Sequence, residues 1–421
     1  MHTPSIPHSL ILLTVILTAT SPSSRAQGLL TPPGAPAPTM KSLQEIWDKV
    51  GTLQTTVGTL QTTATSQQQQ ITLLQQQNAL LLANANIVLP WQITTVDSTY
   101  NVGEYTSLAF TPAGQPAISY YDRTNARLKY AVFNGSIWTS STVDSTGTVG
   151  HFTSLAFTPA GQPAISSYDS GNSDLKYAVF NGSTWTSSIV DSTGDVGFQP
   201  SLAFTPAGQP AISYWDITNS DLKYAVFNGS IWTLSTVDSS GSMGMYSSLA
   251  FTPAGQPAIS YHGLNNIDLK YAVFNGSAWT LSTVDSAYMV GLHTSLAFTP
   301  AGQPAISYED QLNADLKYAV FNGSTWTLST VDSTGLVGTY TSLAFTPGGQ
   351  PAISYYDSTN GGLKFAVFNG STWTCSTVDS MGVVGYCTSL AFTPGGQPAI
   401  SYYDATNGDL KFAIRKPFVS P

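Results

Sequence analysis

The side chains of this chain that could do acid–base or metal chemistry are few, and most of them recur. Asp97, Asp144, Asp191, Asp238, Asp285, Asp332 and Asp379 stand 47 residues apart, as do Lys129, Lys176, Lys223, Lys270, Lys317, Lys364 and Lys411. A catalytic group is needed once, so seven copies predict a structural job: strand-end hydrogen bonds and ion pairs. Repeated calcium sites on the same Asp residues are the alternative, but no dense Asp/Asn/Gly loop of the calcium-binding type accompanies them. His262, His293 and Glu309 depart most from the repeated pattern and fall in neighbouring repeats. Imidazoles beside a carboxylate can relay protons or hold a metal. These three lack ligand spacing, so neither a metal nor a cofactor is expected. Glu104 and Glu309 are the only Glu residues after residue 90 and lie in widely separated repeats. A glycosidase would need two carboxylates about 5–10 Å apart in one pocket. No Ser/His/Asp constellation stands out.

What positions these residues is a repeat. The Ser of Ser-Leu-Ala-Phe falls at Ser107, Ser154, Ser201, Ser248, Ser295, Ser342 and Ser389, a period of 47. Each unit holds four strand-like runs, as in Ser-Leu-Ala-Phe, Gln-Pro-Ala-Ile-Ser-Tyr-Tyr-Asp, Leu-Lys-Tyr-Ala-Val-Phe and Trp-Thr-x-Ser-Thr-Val-Asp. Thr-Pro-Ala/Gly-Gly makes the first turn. Asn-Gly makes the third, where a type I′ hairpin with two positive φ angles is expected. Seven four-stranded units predict an all-β, seven-bladed β-propeller over residues 91–415. The fourth-strand Trp begins at Trp91, before the first Ser-Leu-Ala-Phe, and no such strand follows the last unit. Residues 91–97 are therefore expected to complete the last blade and close the ring, leaving no open edge.

The copies differ only in some places. The loops between strands one and two and between strands three and four barely change, whereas those between two and three and from four to the next unit vary. Alternating strand direction puts both variable sets on one rim. Just before the conserved first-strand motif stand Tyr105, Phe152, Gln199, Tyr246, His293, Tyr340 and Cys387. Just before the second-strand Asp stand Tyr121, Tyr168, Trp215, Glu309, Tyr356 and Tyr403, with His262-Gly263 in the fourth copy. Both sets are expected at the channel mouth, where aromatic faces with nearby donors suit sugars or peptides. The candidate ligand-binding residues are Tyr105, Phe152, Tyr246, His293, Tyr340, Tyr121, Trp215, His262, Glu309 and Tyr356. Neutral drift in solvent-facing loops would also vary these positions. Cys375 begins an outermost strand and Cys387 enters the innermost strand of the next blade, too far apart to bridge. Six Asn-Gly-Ser triplets (Asn134, Asn181, Asn228, Asn275, Asn322 and Asn369) match the glycosylation sequon, though the turn already accounts for Asn-Gly.

Ahead of the repeats, residues 1–26 read as an export signal, with an apolar run from Leu10 to Leu17 and small residues before a cleavage site after Ala26. That predicts a secreted or periplasmic protein. The run is far below the ~20 residues that span a bilayer, so no membrane span is expected. Residues 27–40 are a Pro-rich linker and 416–421 a tail. In residues 41–89 a heptad places Leu43, Val50, Val57, Ala64, Ile71, Asn78 and Ala85 at a, and Ile46, Leu53, Leu60, Gln67, Leu74, Leu81 and Val88 at d. This predicts a coiled-coil stalk and a homo-oligomer. Gly51, Gly58 and the Gln67–Gln70 run favour the rival reading, a solitary amphipathic helix. After residue 90 the chain carries 11 Lys/Arg and 21 Asp/Glu, a net −10 with no basic stripe, so nucleic acid is not expected as a partner.

The runs Ile353-Ser-Tyr-Tyr-Asp357 and Leu363-Lys-Phe-Ala-Val-Phe368 resemble the tandem repeats of secreted microbial propellers of the Asp-box (BNR, sialidase-like) superfamily. Asn322-Gly-Ser-Thr-Trp326 occupies the turn where that family has Ser-x-Asp-x-Gly-x-Thr-Trp, one residue shorter and with Asn for Asp. A sialidase, by that resemblance, would need three arginines from different blades. Arg123 and Arg127 share one loop and Arg415 is near the C-terminus, so sialidase activity is not expected. Three readings remain: a non-catalytic binding or adhesion protein recognising a glycan or protein, a glycoside hydrolase- or lyase-type enzyme at the rim, and a structural extracellular repeat protein.

Overall fold

The computed structural model describes residues 40–84 and 90–415, with helix side chains from 44 to 70 and at 74. The signal at 1–26, the linker up to residue 39, residues 85–89 of the heptad and the tail at 416–421 lie outside the described residues. Met40, assigned to the linker by sequence, begins an α-helix that runs Met40–Asn84. Seven threonines of this helix, Thr52 to Thr65, donate their hydroxyls to the carbonyl four residues back, as Thr52 does to Asp48 at 2.9 Å. That satisfies a polar side chain locally in a segment almost without charge.

The second unit is a seven-bladed propeller. Six blades are consecutive four-stranded antiparallel meanders, the first comprising Val102–Phe110, Pro116–Asp122, Arg127–Phe133 and Trp138–Asp144. The seventh has Val384–Phe392, Pro398–Asp404 and Asp409–Arg415, and its outermost strand is Trp91–Asp97 from the other end of the chain. Trp91 pairs with Arg415 and Thr95 with Lys411, so the ring closes as the repeat count requires. The Arg415 guanidinium stacks 4.8 Å from the Trp91 ring, a cation–π contact that fastens the closing strand.

The core is not central; it is divided among the seven seams. Each seam buries one cluster, such as Ala164, Leu175, Tyr177 and Val190 of blade 2 against Val196, Leu202, Ile212, Tyr214 and Ala225 of blade 3. The seam between blades 7 and 1 has the same composition, with Ala399, Leu410 and Phe412 facing Val102, Leu108, Ile118, Tyr120 and Ala131. Both faces of a blade are thus apolar, which is why few charged residues can be accommodated.

The repeated polar residues tie the seams. In all seven, the Ser of Ser-Leu-Ala-Phe accepts the Leu amide of the following blade at 3.0 Å, including Leu108 N–H to Ser389 Oγ across the closure. In six, the fourth-strand Asp accepts a buried Tyr hydroxyl from the next blade, as Asp191 does from Tyr214 at 2.7 Å. Lys129, Lys223, Lys270, Lys317 and Lys364 reach five of these carboxylates from the third strand, and Lys176 reaches Asp144 in the seam that lacks the Tyr. Burial works against ionising Asp97, but hydrogen bonds from Lys129, Tyr120 and Thr99 outweigh it and hold its carboxyl below the usual range. The repeated Asp and Lys are structural.

The third turn departs from the type I′ expectation. In Asn228-Gly-Ser-Ile231 only Gly229 has positive φ, at +99°. Asn228 Oδ1 instead accepts the amides of Ser230 and Ile231 at 2.9 and 3.0 Å, and Asn228 N–H bonds Ile231 O. The side chain acts as the second turn element, so the loop has four residues and one left-handed position rather than two. Cys375 and Cys387 are free thiols on the outermost and innermost strands expected.

The Val-Gly or Met-Gly step that opens every innermost strand is a different constraint. Gly197 has φ +91°, and a Cβ there would lie 2.6 Å from Leu175 Cα of the neighbouring blade. Gly229 has φ +99° with nothing within 4 Å of an added Cβ. Gly229→Ala is therefore expected to cost about 1–2 kcal/mol, the strain of a left-handed alanine. Gly197→Ala should cost several kcal/mol more, because strain and clash add. Urea unfolding of the two variants checks this, and equal midpoints would refute the close-approach argument.

Candidate functional site

Two residues beyond that Gly, the innermost strand turns left-handed again. Tyr105, Phe152, Gln199, Tyr246, His293, Tyr340 and Cys387 all have φ between 50° and 56°. The ladder slips here: Glu104 pairs with Tyr121 but Ser107 with Ser119, three residues against two. The resulting bulge points these seven side chains into one axial cavity of about 210 Å³, which they line with the seven residues that follow them. Five of the ten sequence candidates, Tyr105, Phe152, Tyr246, His293 and Tyr340, therefore share one site, with Gln199 and Cys387 completing the circle.

Their rings lean on one another around the axis. Tyr105 and Phe152 are 4.3 Å apart between centroids, Tyr246 and His293 4.2 Å, and His293 and Tyr340 4.6 Å. Gln199 interrupts the stack, and its Oε1 accepts the Tyr246 amide at 2.7 Å. Behind the ring, a seam hydroxyl pair recurs, for example Ser119 with Thr153 at 2.6 Å and Ser213 with Ser247 at 2.9 Å. Pro200 breaks it in one place by replacing the Thr or Ser, leaving Ser166 Oγ buried without a partner.

The other five candidates do not line the cavity. Tyr121, His262 and Tyr356 are buried, while Trp215 and Glu309 are part-exposed. They stand one strand further out and brace the ring from behind. His262 Nδ1 lies 3.0 Å from Val290 O across a seam, a structural contact. This second set, also expected at the mouth, does not line the axial cavity. Three residues missed by sequence reasoning occupy the gap. His151 stacks on Tyr121 at 4.1 Å, Phe198 on Phe152 at 4.4 Å and Tyr386 on Tyr356 at 4.4 Å. They immediately precede ring residues and vary between copies as much, which was the available signal.

The mouth is nearly uncharged. Burial pushes the Tyr105 hydroxyl and the Cys387 thiol up to about 12, so both stay protonated. Burial pushes His293 down to about 3, and lowers His151 and His262 as well. His293 Nε2 is 3.8 Å from Glu309 Oε2, too long for a hydrogen bond, and the neutral imidazole makes no ion pair at pH 7. Burial raises Glu309 to about 6, with a hydrogen bond from Thr339 opposing it. Glu104 is tied to Arg123 at 2.8 Å. Among the described residues, no group of three or more His, Cys, Asp or Glu could hold a metal, and no helix is long and apolar enough to cross a membrane.

No protein-family model matches this chain, and no curated protein does either. Solved structures share its fold. A Dyadobacter fermentans protein of unknown function aligns with a TM-score of 0.51 at 12% identity, over 77% of this chain and 97% of that one. YCF48 bound to a D1 peptide aligns with a TM-score of 0.52 at 14% identity, over 79% and 96%. An α-L-arabinofuranosidase from Fusarium graminearum, in complex with an iminosugar inhibitor, aligns at 0.44 and 13% identity, over 62% and 91%.

The raised Glu309 carboxyl has a stability consequence of fixed sign. The folded state holds this proton more tightly than the unfolded chain does, so stability falls as pH rises from about 4.5 to about 6. Glu309→Gln is expected to stabilise the protein by about 1–2 kcal/mol at pH 7 and by nothing at pH 4. Denaturant midpoints at the two pH values check this; an equal gain at both would show that packing, not ionisation, is responsible.

Proposed function

We propose that this chain is a secreted or periplasmic, non-catalytic binding protein whose propeller mouth recognises a glycan or protein ligand. One observation carries the reading. At the left-handed position packed against the neighbouring blade, all seven copies are Gly; at the left-handed position facing the axis, none is Gly or Asn. Each non-glycine residue there costs about 1–2 kcal/mol of backbone strain. Side chains retained against that cost, and different in most copies, fit a role in recognition better than drift. The cavity is smaller than the roughly 300 Å³ of typical ligand pockets, so it suits one sugar ring or one side chain of a larger ligand.

A hydrolase would need two carboxylates facing one pocket. Neither Glu104 nor Glu309 lines the mouth, and the protonated tyrosines and thiol offer no nucleophile. Kinship with the Asp-box propellers is, in this reading, architectural and does not extend to sialidase chemistry.

Residues 41–89 would supply avidity by self-association. Ile46, Leu53 and Leu60 on the helix are 57%, 64% and 63% exposed in the single chain, an uncovered d-position seam. Light scattering is expected to give a multiple of the mass of one mature chain. Leu53→Asp with Leu60→Asp should return it to one chain, and a monomeric wild type would end the avidity argument. For the mouth, glycan-array and pull-down screens of the intact oligomer should yield a ligand whose affinity drops about tenfold on Tyr105→Ala or Tyr340→Ala. Blank screens, or binding indifferent to both substitutions, would refute the proposal.

A further inference from the structure

The variable rim is chemically lopsided. Six large apolar side chains stand exposed on it: Tyr288 (59%), Leu312 (60%), Leu336 (58%), Met381 (82%), Val383 (41%) and Tyr100 (73%). They are confined to the second–third loop of blade 5 and the junctions 4/5, 5/6, 6/7 and 7/1, an arc of neighbouring positions. The junctions 1/2, 2/3 and 3/4 carry only Ser, Thr, Gly and Asp at the same places, as in Ser192-Thr-Gly-Asp195 and Ser239-Ser-Gly-Ser242. The variable loops of the apolar half (98–101, 286–289, 311–314, 333–336, 358–361, 380–383 and 405–408) contain no Asp, Glu, Lys or Arg.

Tyr100 sharpens the case. It sits at φ 71°, where the corresponding residue in five other junctions is Gly. An aromatic side chain here pays twice, once in backbone strain and once in exposed apolar surface, and neither is recovered within the chain.

We infer that this crescent is a protein-docking surface that binds an uncharged polypeptide face presenting aliphatic and aromatic side chains. The inference rests on the variable rim being the binding face and chooses between its two ligand classes. Leu, Met and Val side chains offer no donors or acceptors to sugar hydroxyls, but they match the apolar centre of a protein interface, where charge is depleted. Together the six expose on the order of 800 Å², the share one partner contributes to a standard interface. The chain enters and leaves the propeller at the opposite rim, where Trp91 pairs with Arg415. The axial cavity would take a single anchoring side chain.

Random dodecapeptides displayed on phage, panned against the immobilised intact protein, test this. Enrichment of peptides carrying at least two Leu, Ile, Phe or Trp is expected. A synthetic peptide of the enriched sequence should lose at least tenfold in affinity to Leu336→Ser with Met381→Ser, and nothing to Ser192→Ala with Ser239→Ala. Tyr100→Gly should weaken that peptide while raising the urea midpoint, a combination that a merely structural tyrosine would not produce. No enrichment over an albumin-coated control, binding indifferent to the crescent pair, or a lowered midpoint for Tyr100→Gly would overturn the inference. A glycan array with Tyr105-dependent hits and no enriched peptide would leave the mouth reading standing and remove this one; blanks in both would remove both.

Discussion

The amide of Leu108 donates to the hydroxyl of Ser389 across the seam that closes the ring, and the mouth depends on that closure. A ring of near-identical blades has seven equal seams, of which six join consecutive units. The seventh joins parts of the chain some 280 residues apart. Loop-closure entropy grows only as the logarithm of loop length, so the distant seam costs little more than a near one. Its burial is the same as elsewhere, because Trp91–Asp97 gives blade 7 a fourth strand and Val102, Leu108 and Tyr120 meet Leu410 and Phe412. Without that seam, two blade faces would be wet and the axial circle of side chains would be open on one side.

The same constraint explains the composition. Every blade face is a seam, so the lysines of the repeats lie at the seams, paired with carboxylates and only 12–18% exposed. The outermost strands face solvent with Ser and Thr instead, as in the exposed Thr139 to Thr142 run of blade 1. A buried ion pair is weak evidence for net stability, since desolvation offsets the attraction. Its value here is register: Asp191 meets both Tyr214 and Lys223 only when neighbouring blades are aligned to within one residue.

Much of this was legible in the spacing. A period of 47 with four strand-like runs implies blade number, and the extra Trp91 strand implies closure. Seven-fold repetition of Asp and Lys implies seam chemistry. The mouth was harder to read, because its geometry depends on a bulge with no residue signature. Tyr, Phe, Gln and Cys are uncommon left-handed residues, and one His among seven positions does not announce φ near 53°. At the bulge Tyr105 and its six counterparts, rather than Tyr121 and Glu309, line the axial cavity. The Asn-Gly hairpin hid its geometry for a similar reason, since the Asn228 side chain replaces a backbone conformation that the dipeptide equally permits.

Seven copies of one unit also make each departure interpretable, because six siblings report what the position needs. Pro200 removes a hydroxyl and leaves Ser166 unpaired; Gly263 removes a carboxylate, and Asp268 occupies the vacated space with one oxygen unpartnered. Each loss is confined to one copy, the first at a seam and the second within blade 4, and the remaining contacts tolerate them. The departures at the axial ring and at Tyr100 are of another kind. They place bulky side chains at left-handed positions, and Tyr100 adds surface that the fold does not bury. The asymmetry of the rim therefore sits in residues that no seam cluster contains.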